Sequence, residues 1–354
     1  MKSFTIRQDS LSFKIGNYLE PFIIAEIGVN HNGSIENAKK LIELSKLAGA
    51  NAVKFQNFSS EELVLPNTKK AKYQIKNTNK LQNQKDMLKE LELKFSDFLE
   101  LKKFAKTKKI FFSTTPYNFK DIEMLKGLNL PFLKAASIHC GEPYFLKLLS
   151  ELNVPVFLST GLSNLNQVKK GAKILQKKLK NKYVILQCTS DYPVSIEEAN
   201  INVLEEYKNL NFIYGFSDHS ENTTAALLAL SKGACVFEKH ITLDKNDKGP
   251  DHFASLTPNE FKEYVVTIKQ GYSALGSFKK DLTKSEKINY EQMKRSVYLN
   301  KDIKKFHKVT REDINIMRPY NKKSEVELLE KFIGMKAIKD VKKHTLLTKD
   351  LLSD

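Results

Sequence analysis

No apolar run in the 354 residues approaches the roughly 20 that a membrane-spanning helix needs. The first residues are polar where a signal peptide would place its apolar core, so a cytoplasmic chain without a membrane partner is the expectation. Cysteine is scarce. Cys140, Cys188 and Cys235 are odd in number and lack paired spacing, which argues against a disulfide framework and against structural zinc. Acidic residues are outnumbered, 41 against 58 Lys and Arg, for a net charge of +17, yet no RNA- or DNA-binding motif accompanies the lysines. Spread over nearly every helical stretch, they read as a solvated basic surface that steers anionic substrates. A noncatalytic binder of nucleic acid or anionic polysaccharide is the alternative that the charge leaves open. There is no internal repeat of defined period beyond an alternation of short apolar runs and helical stretches.

That alternation is what the sequence has in abundance. Polar residues fall at the ends of apolar runs: EIGVNHNG after FIIA, VKFQ after NA, STTPY after IFF, LKAAS after LPF, STG after VPVFL, QCTSDYP after YVIL, SDHS after FIYGF and EKH after CVF. Runs this continuously apolar suit parallel strands buried on both faces, and the βαβα order predicts a (β/α)8 TIM barrel, with a doubly wound open sheet as the alternative. In a barrel all strand ends open onto one face. Glu26, Lys54, Gln56, Thr115, Lys134, Ser137, Ser159, Ser217, His219, Glu238 and His240 would then converge although they span most of the chain.

Helical spacing follows Ser34, with apolar residues at Ala38, Leu41, Ile42, Leu44 and Ala48 before Gly49. Similar stretches lie near 95–107, 118–128, 142–152, 164–179, 221–232 and 257–275, with the weakest pattern at 196–207. The barrel domain is placed at 1–280, with an N-terminal extension over 1–20. The segment 58–94, rich in Lys, Asn and Gln, interrupts the barrel unit, and an insertion of that length predicts a lid or mobile element. A linker is expected at 281–289 and a small α/β domain at 290–354, with strands near 295–299 and 336–338.

His219 and His240 each follow a predicted strand. Two imidazoles at adjacent strand ends can share a divalent cation and leave positions for water and substrate; taken alone, such a histidine is more often a surface or hydrogen-bonded core residue. His31, beside the expected pocket mouth, is a weaker candidate. Lys54 and Lys134 interrupt buried strands, where an unpaired ammonium is costly. Either they pair with Glu26 or Glu238, or they face a phosphate and a carboxylate with help from the hydroxyls of Thr115, Ser137, Ser159 and Ser217.

Taken together, AEIGVNHNG, VKFQ, STTPY, LSTG, QCTSDYP, GFSDHS and EKHITLDKNDKGPDHFASL resemble the N-acetylneuraminate (sialic acid) synthase family, including its bacterial legionaminate branch. The carboxy-terminal piece with VYLNKDI and MRP resembles that family's antifreeze-like, or SAF, domain. The resemblance implies a metal-dependent condensation of phosphoenolpyruvate with an N-acylated hexosamine, giving a nine-carbon 2-keto sugar acid and phosphate. The metal it implies is usually Mn²⁺, with Mg²⁺ or Co²⁺ as alternatives. By motif, His219 and His240 match the metal ligands and Glu26 the catalytic carboxylate. Lys54, Thr115, Lys134, Ser137, Ser159 and Ser217 match the phosphoenolpyruvate contacts, and Gln56, Tyr192 and Asp251 match positions lining the sugar site. Arg318 matches an arginine inserted into the partner's barrel in a domain-swapped homodimer. Ser190 and Ile138–Gly141 depart from the family pattern. N-acetylmannosamine and 2,4-diacetamido-2,4,6-trideoxymannose both remain open as acceptor. Another phosphoenolpyruvate-dependent 3-deoxy sugar acid synthase is the enzymatic alternative, and it would not need the SAF module.

Overall fold

The computed structural model describes residues 2–78 and 82–354, which divide into two compact units, Met1–Gly276 and Ser277–Asp354. The first begins with an antiparallel hairpin, β1 (Phe4–Gln8) and β2 (Leu11–Ile15), turning at Asp9, which takes up positive φ. Eight parallel strands follow: β3 (Phe22–Gly28), β4 (Ala52–Asn57), β5 (Phe111–Pro116), β6 (Leu133–Ala135), β7 (Val156–Ser159), β8 (Tyr183–Cys188), β9 (Tyr214–Asp218) and β10 (Val236–His240). Their spatial order is β5-β4-β3-β10-β9-β8-β7-β6, so the first strand of the set pairs with the last. At the remaining seam the Ser113 hydroxyl donates to the Phe132 carbonyl at 2.7 Å, joining β5 to the residue before β6. This circular order is a barrel and excludes the doubly wound sheet, whose first and last strands do not complete a ring.

The outer helices appear where apolar spacing put them. They are α1 (Ile35–Leu47), α5 (Phe95–Thr107), α6 (Phe119–Leu125), α7 (Pro143–Glu151), α8 (Leu165–Leu179), α9 (Val203–Asn209), α10 (Thr224–Ser231) and α11 (Pro258–Leu275). Three short helices, α2 (Ser60–Leu63), α3 (Lys72–Thr78) and α4 (Gln84–Lys89), structure the insertion. The weak stretch 196–207 is divided: a 3₁₀ turn at Ile196–Ala199 ends at Asn200 in the left-handed region, and only then does α9 begin. Leucines, alanines and phenylalanines facing outward from the strands pack under these helices as one continuous layer. Among the described residues no helix is long and apolar enough to cross a membrane.

Inside the barrel, the N-terminal half is filled by a separate cluster. Phe132 and Phe157 stack at 4.5 Å, and Phe22 meets both edge-on. Phe4, Ile6 and Ile15 of the hairpin join these rings and Ile24, Val184 and Leu186. The hairpin therefore floors the barrel, leaving the opposite end for polar groups.

The second unit starts with α12 (Lys284–Met293), which occupies most of the segment expected to be a linker. Thr283 and Glu286 form its capping box, but none of its residues is buried, so apolar periodicity could not announce it. Then come β11 (Ser296–Leu299), paired antiparallel with β12 (Ile314–Met317), a short helix α13 (Leu329–Phe332), and the two-residue strands β13 (Lys336–Ala337) and β14 (Leu352–Ser353). Val297, Leu299, Ile314, Phe332 and Leu347 form the core.

Asp313, fully buried before β12, accepts from Lys301 at 2.6 Å, His307 at 2.7 Å and the Thr310 amide at 2.7 Å. Burial alone would raise its pKa, but these partners outweigh it and hold the carboxyl well below the usual range. The unfolded chain therefore takes up this proton first, so the stabilisation is complete above the unfolded pKa of about 3.9 and is lost as pH falls through the folded value. Asp313→Asn should cost about 1–3 kcal/mol at neutral pH. Protection of the β11 and β12 amides, corrected for intrinsic exchange, should be lower in the variant at neutral pH and fall less than in wild type as pH drops below about 4. Equal acid sensitivity of the two proteins would refute this account.

Candidate active site

Parallel register and strand alternation put the polar residues of the C-terminal ends into one cavity of about 470 Å³. Lys54 stands beside Glu26, Glu26 beside His240, Gln56 beside Thr115, and Ser217 beside Glu238. Lys54 Nζ lies 2.7 Å from Glu26 Oε2, donates to Thr115 Oγ1 at 2.8 Å, and is 3.9 Å from Glu238 Oε1. Lys134 Nζ donates to Ser159 Oγ at 2.6 Å and is 3.6 Å from the same Glu238 oxygen. Gln56 Nε2 donates to Glu26 Oε1 at 3.1 Å, and Ser217 Oγ donates to Glu238 Oε1 at 3.1 Å.

The cations thus do pair with Glu26 and Glu238, and they also touch two of the four hydroxyls named for an anion site. Burial raises Glu26, an effect Lys54 opposes and Glu238 reinforces. Burial acts upward on Glu238 too, but Lys134 and Lys54 prevail and hold it below the usual range. Lys134 is lowered, chiefly by burial. Ser137 adds a further polar point by accepting from the Gly161 amide at 3.1 Å. A Cβ at Gly161 would lie 2.2 Å from Ser190 Oγ and 2.8 Å from Ser137 Oγ, so the LSTG turn requires glycine for close approach.

The histidine rings lie 5.6 Å apart. His219 Nδ1 is 2.7 Å from the Thr189 carbonyl, a contact that assigns the ring proton to Nδ1 and leaves Nε2 as a lone-pair donor. His240 Nδ1 is buried without a hydrogen-bond partner, with Asp251 Oδ2 3.8 Å away. Two imidazoles with uncommitted nitrogens facing a polar cavity fit a divalent cation that keeps positions for water and substrate. Among the described residues no three His, Cys, Asp or Glu side chains form a ready metal cage, so the fit is to an open site. His31 is not part of it: its Nδ1 accepts from the Gly33 amide at 3.0 Å, and it does not line the cavity.

Tyr192 covers His219 with ring centroids 4.1 Å apart. Asp251 lines the same side, its carboxyl pushed up to about 7 by burial with Glu26 adding to the effect. Gln56 is also here. All the barrel positions assigned to donor, acceptor or metal thus meet in one cavity, while His31 stays outside it. Arg318 lies in the second unit, just after β12, where its Nε donates to the Met293 carbonyl at 2.9 Å.

Sequence reasoning missed several lining residues. Tyr73 and Gln74 of α3 and Gln84 of α4 belong to the insertion; Tyr73 packs on Tyr192 at 5.1 Å, and Gln84 Nε2 donates to Gln74 Oε1 at 3.1 Å. Only the length of the insertion signalled them. Glu238, expected as one of the partners of the two lysines, lies 3.9 Å from Lys54 Nζ and 3.6 Å from Lys134 Nζ. Val29, Phe58, Leu63, Leu88 and Tyr117 give the cavity an apolar wall.

The profile of the NeuB family matches residues 41–281, and that of the SAF domain matches residues 294–353. The N,N'-diacetyllegionaminic acid synthase of Campylobacter jejuni is 37% identical over 92% of this chain and 98% of its own length. The enzyme of the same name from Legionella pneumophila is 35% identical over 86% of this chain and 87% of its own. The crystal structure of N-acetylneuraminic acid (sialic acid) synthetase from Leptospira borgpetersenii, in complex with citrate, superposes with a TM-score of 0.71 at 30% identity, covering 82% of this chain and 96% of that one. With its barrel, its strand-end constellation and these relatives in agreement, the chain belongs to the NeuB family and carries a C-terminal SAF domain.

Proposed function

We propose that the protein condenses phosphoenolpyruvate with the open-chain aldehyde of an N-acylated hexosamine, forming a nine-carbon 2-keto sugar acid and releasing phosphate. The carrying observation is the pair of buried ammonium groups, Lys54 and Lys134, in the same cavity as Glu26 and two uncommitted imidazoles. Lys54 and Lys134, with Thr115, Ser137, Ser159 and Ser217, bind the phosphate and carboxylate of the donor. His219 and His240 hold a divalent cation, which when bound supplies Lewis-acid polarisation of a carbonyl oxygen; Mn²⁺ is our assignment. C3 of the donor attacks the aldehyde carbon with the electrons of its C2–C3 double bond, and the aldehyde oxygen takes up a proton to become a hydroxyl. Water adds at the electron-poor C2 to give a tetrahedral intermediate, which breaks its C2–O bond to phosphate and leaves the ketone. Glu26, buried and raised in pKa, orients that water and accepts its proton.

Gln56, Tyr192 and Asp251 line the acceptor side, and Arg318 completes it from the second subunit of a domain-swapped homodimer. A planar guanidinium suits acyl carbonyl and hydroxyl acceptors in a way that lysine does not. As acceptor we favour 2,4-diacetamido-2,4,6-trideoxymannose over N-acetylmannosamine. Its methyl groups suit the wall of Val29, Phe58, Leu63 and Leu88, and two of the relatives are named for a diacetylated product.

The direct test is phosphate release from phosphoenolpyruvate with each acceptor and Mn²⁺; DNA retention without phosphate release would support polyanion binding instead. Chelation should abolish turnover and Mn²⁺ restore it, with His219→Ala and His240→Ala each weakening Mn²⁺ uptake by the purified protein. Wild-type titration curves for both variants would move the metal elsewhere. Glu26→Gln should bind Mn²⁺ and phosphoenolpyruvate yet turn over about 10² to 10⁴ times more slowly, the span of a general base; near-normal rates would remove Glu26 from the mechanism. Mixing Glu26→Gln with Arg318→Ala subunits under conditions of exchange should restore activity, because each heterodimer then carries one barrel with native Glu26 served by a native Arg318. If exchange is demonstrated and activity stays absent, Arg318 does not act in trans.

A further inference from the structure

The two strands that carry the histidines end alike, in Ser217-Asp218-His219 and Glu238-Lys239-His240. Alternation sends the outer two residues of each triplet into the cavity and the middle one outward, so Asp218 and Lys239 face the helical layer. Both are buried to about 1% exposure or less, and the ladder sets them directly opposite each other. Lys239 Nζ lies 3.3 Å from Asp218 Oδ1 and 5.5 Å from the centre of the Tyr264 ring on α11. It also donates to the Ser220 carbonyl. Asp218 Oδ1 in turn accepts from the Ser220 amide at 2.8 Å and the Ser220 hydroxyl at 2.6 Å.

Stability is a poor reason for such a pair. A buried ion pair is often matched or exceeded in stability by apolar residues of similar volume, and its surroundings are already apolar, with Phe216, Phe237, Leu230 and Ile268 in the same layer. Nor does the proposed chemistry use it, since both side chains point away from the cavity. What the contacts do accomplish is geometric. Asp218 closes the turn 218–220 around His219, and Lys239, one residue before His240, grips both that carboxylate and the carbonyl just past His219. A third strap runs from the other side, where the Val194 amide donates to the His219 carbonyl at 3.0 Å.

We propose that Asp218 and Lys239 are positioning residues whose ion pair sets the separation and aim of His219 and His240, and through them the affinity for a divalent cation. The proposal rests on the reading of those histidines as metal ligands. Outer partners that orient a ligand typically contribute about 10- to 100-fold in metal affinity.

The test is titration of Mn²⁺ alone into metal-free full-length protein, followed by the free-ion electron paramagnetic resonance signal, with thermal melts of the same samples. Asp218→Asn/Lys239→Met removes the charge pair without leaving a lone buried ion, and the asparagine oxygen still accepts from Ser220. The expected result is a melting temperature within a few degrees of wild type and Mn²⁺ affinity weakened about tenfold or more. Unchanged affinity in the stable double variant would overturn the proposal and leave the pair a purely structural feature. If that double variant does not fold, Asp218→Asn/Lys239→Gln, which likewise leaves no lone buried ion, is read by the same two outcomes. Failure of wild type to take up Mn²⁺ would overturn the metal reading and this proposal together, which separates that case from a failure of the clamp alone.

Discussion

Two ammonium groups and two carboxylates, closed off from water at the mouth of the barrel, are the constraint around which the rest of this structure is arranged. Lys54 and Lys134 are each about 3% exposed, and neither could keep its charge there alone, because desolvation drives an unpaired buried ammonium to give up its proton. Glu26 and Glu238 balance them on the same face. That balance demands four strands in fixed register, since a slip of one residue in any of them would turn its charged side chain out of the cavity. The barrel supplies that register by pairing β3 with β10, which makes the two carboxylate-bearing strands neighbours.

Rigidity at the opposite end makes this tolerable. The stacked pair Phe132–Phe157, with Phe22 edge-on and the N-terminal hairpin beneath, fills the lower half of the barrel with apolar volume. Each large aromatic buried in this way contributes about 1.5–3 kcal/mol relative to exposure. Stability thus concentrates where the strands begin and charge where they end. The division is the general one for this architecture, in which the C-terminal face carries chemistry.

Much of this was legible because parallel strands buried on both sides write themselves as short apolar runs, and each run stops at the polar residue that meets the cavity. Parity did further work: Lys54 and Gln56, Ser217 and His219, Glu238 and His240 are two apart and so share a face. Closure was not legible, since it lives in the pairing of β3 with β10 and in the Ser113–Phe132 bond, contacts between residues far apart in sequence or across a turn. The helix Lys284–Met293 escaped because it buries nothing and leaves only a capping box as its mark. Tyr73, Gln74 and Gln84 escaped for a related reason: they belong to short helices of an insertion whose composition resembles a loop. Asp218 and Lys239 lie inside the same short motifs as the histidines, and only the outward direction of the middle residue separates its role from theirs.

The charge balance also carries a consequence for reactivity. In the structure Lys54 is committed to Glu26 at 2.7 Å, and that ammonium is the main restraint opposing the rise that burial imposes on the Glu26 pKa. An anion that takes over the Lys54 charge weakens the restraint while leaving Glu26 as buried as before. The carboxylate then becomes a stronger base, because its charged form has lost its compensation and its desolvation has not been relieved. On the proposed mechanism, donor binding and activation of the general base are therefore one electrostatic event: the ammonium that recruits the phosphate or carboxylate is the one released from Glu26. The two lysines differ in this respect. Lys134 engages Glu238, which stays below the usual carboxylate range under the combined pull of both cations, so the same exchange there starts from a firmly ionised partner. On the proposed mechanism this asymmetry, set by which carboxylate is more heavily compensated, favours Glu26 over Glu238 for the role of base.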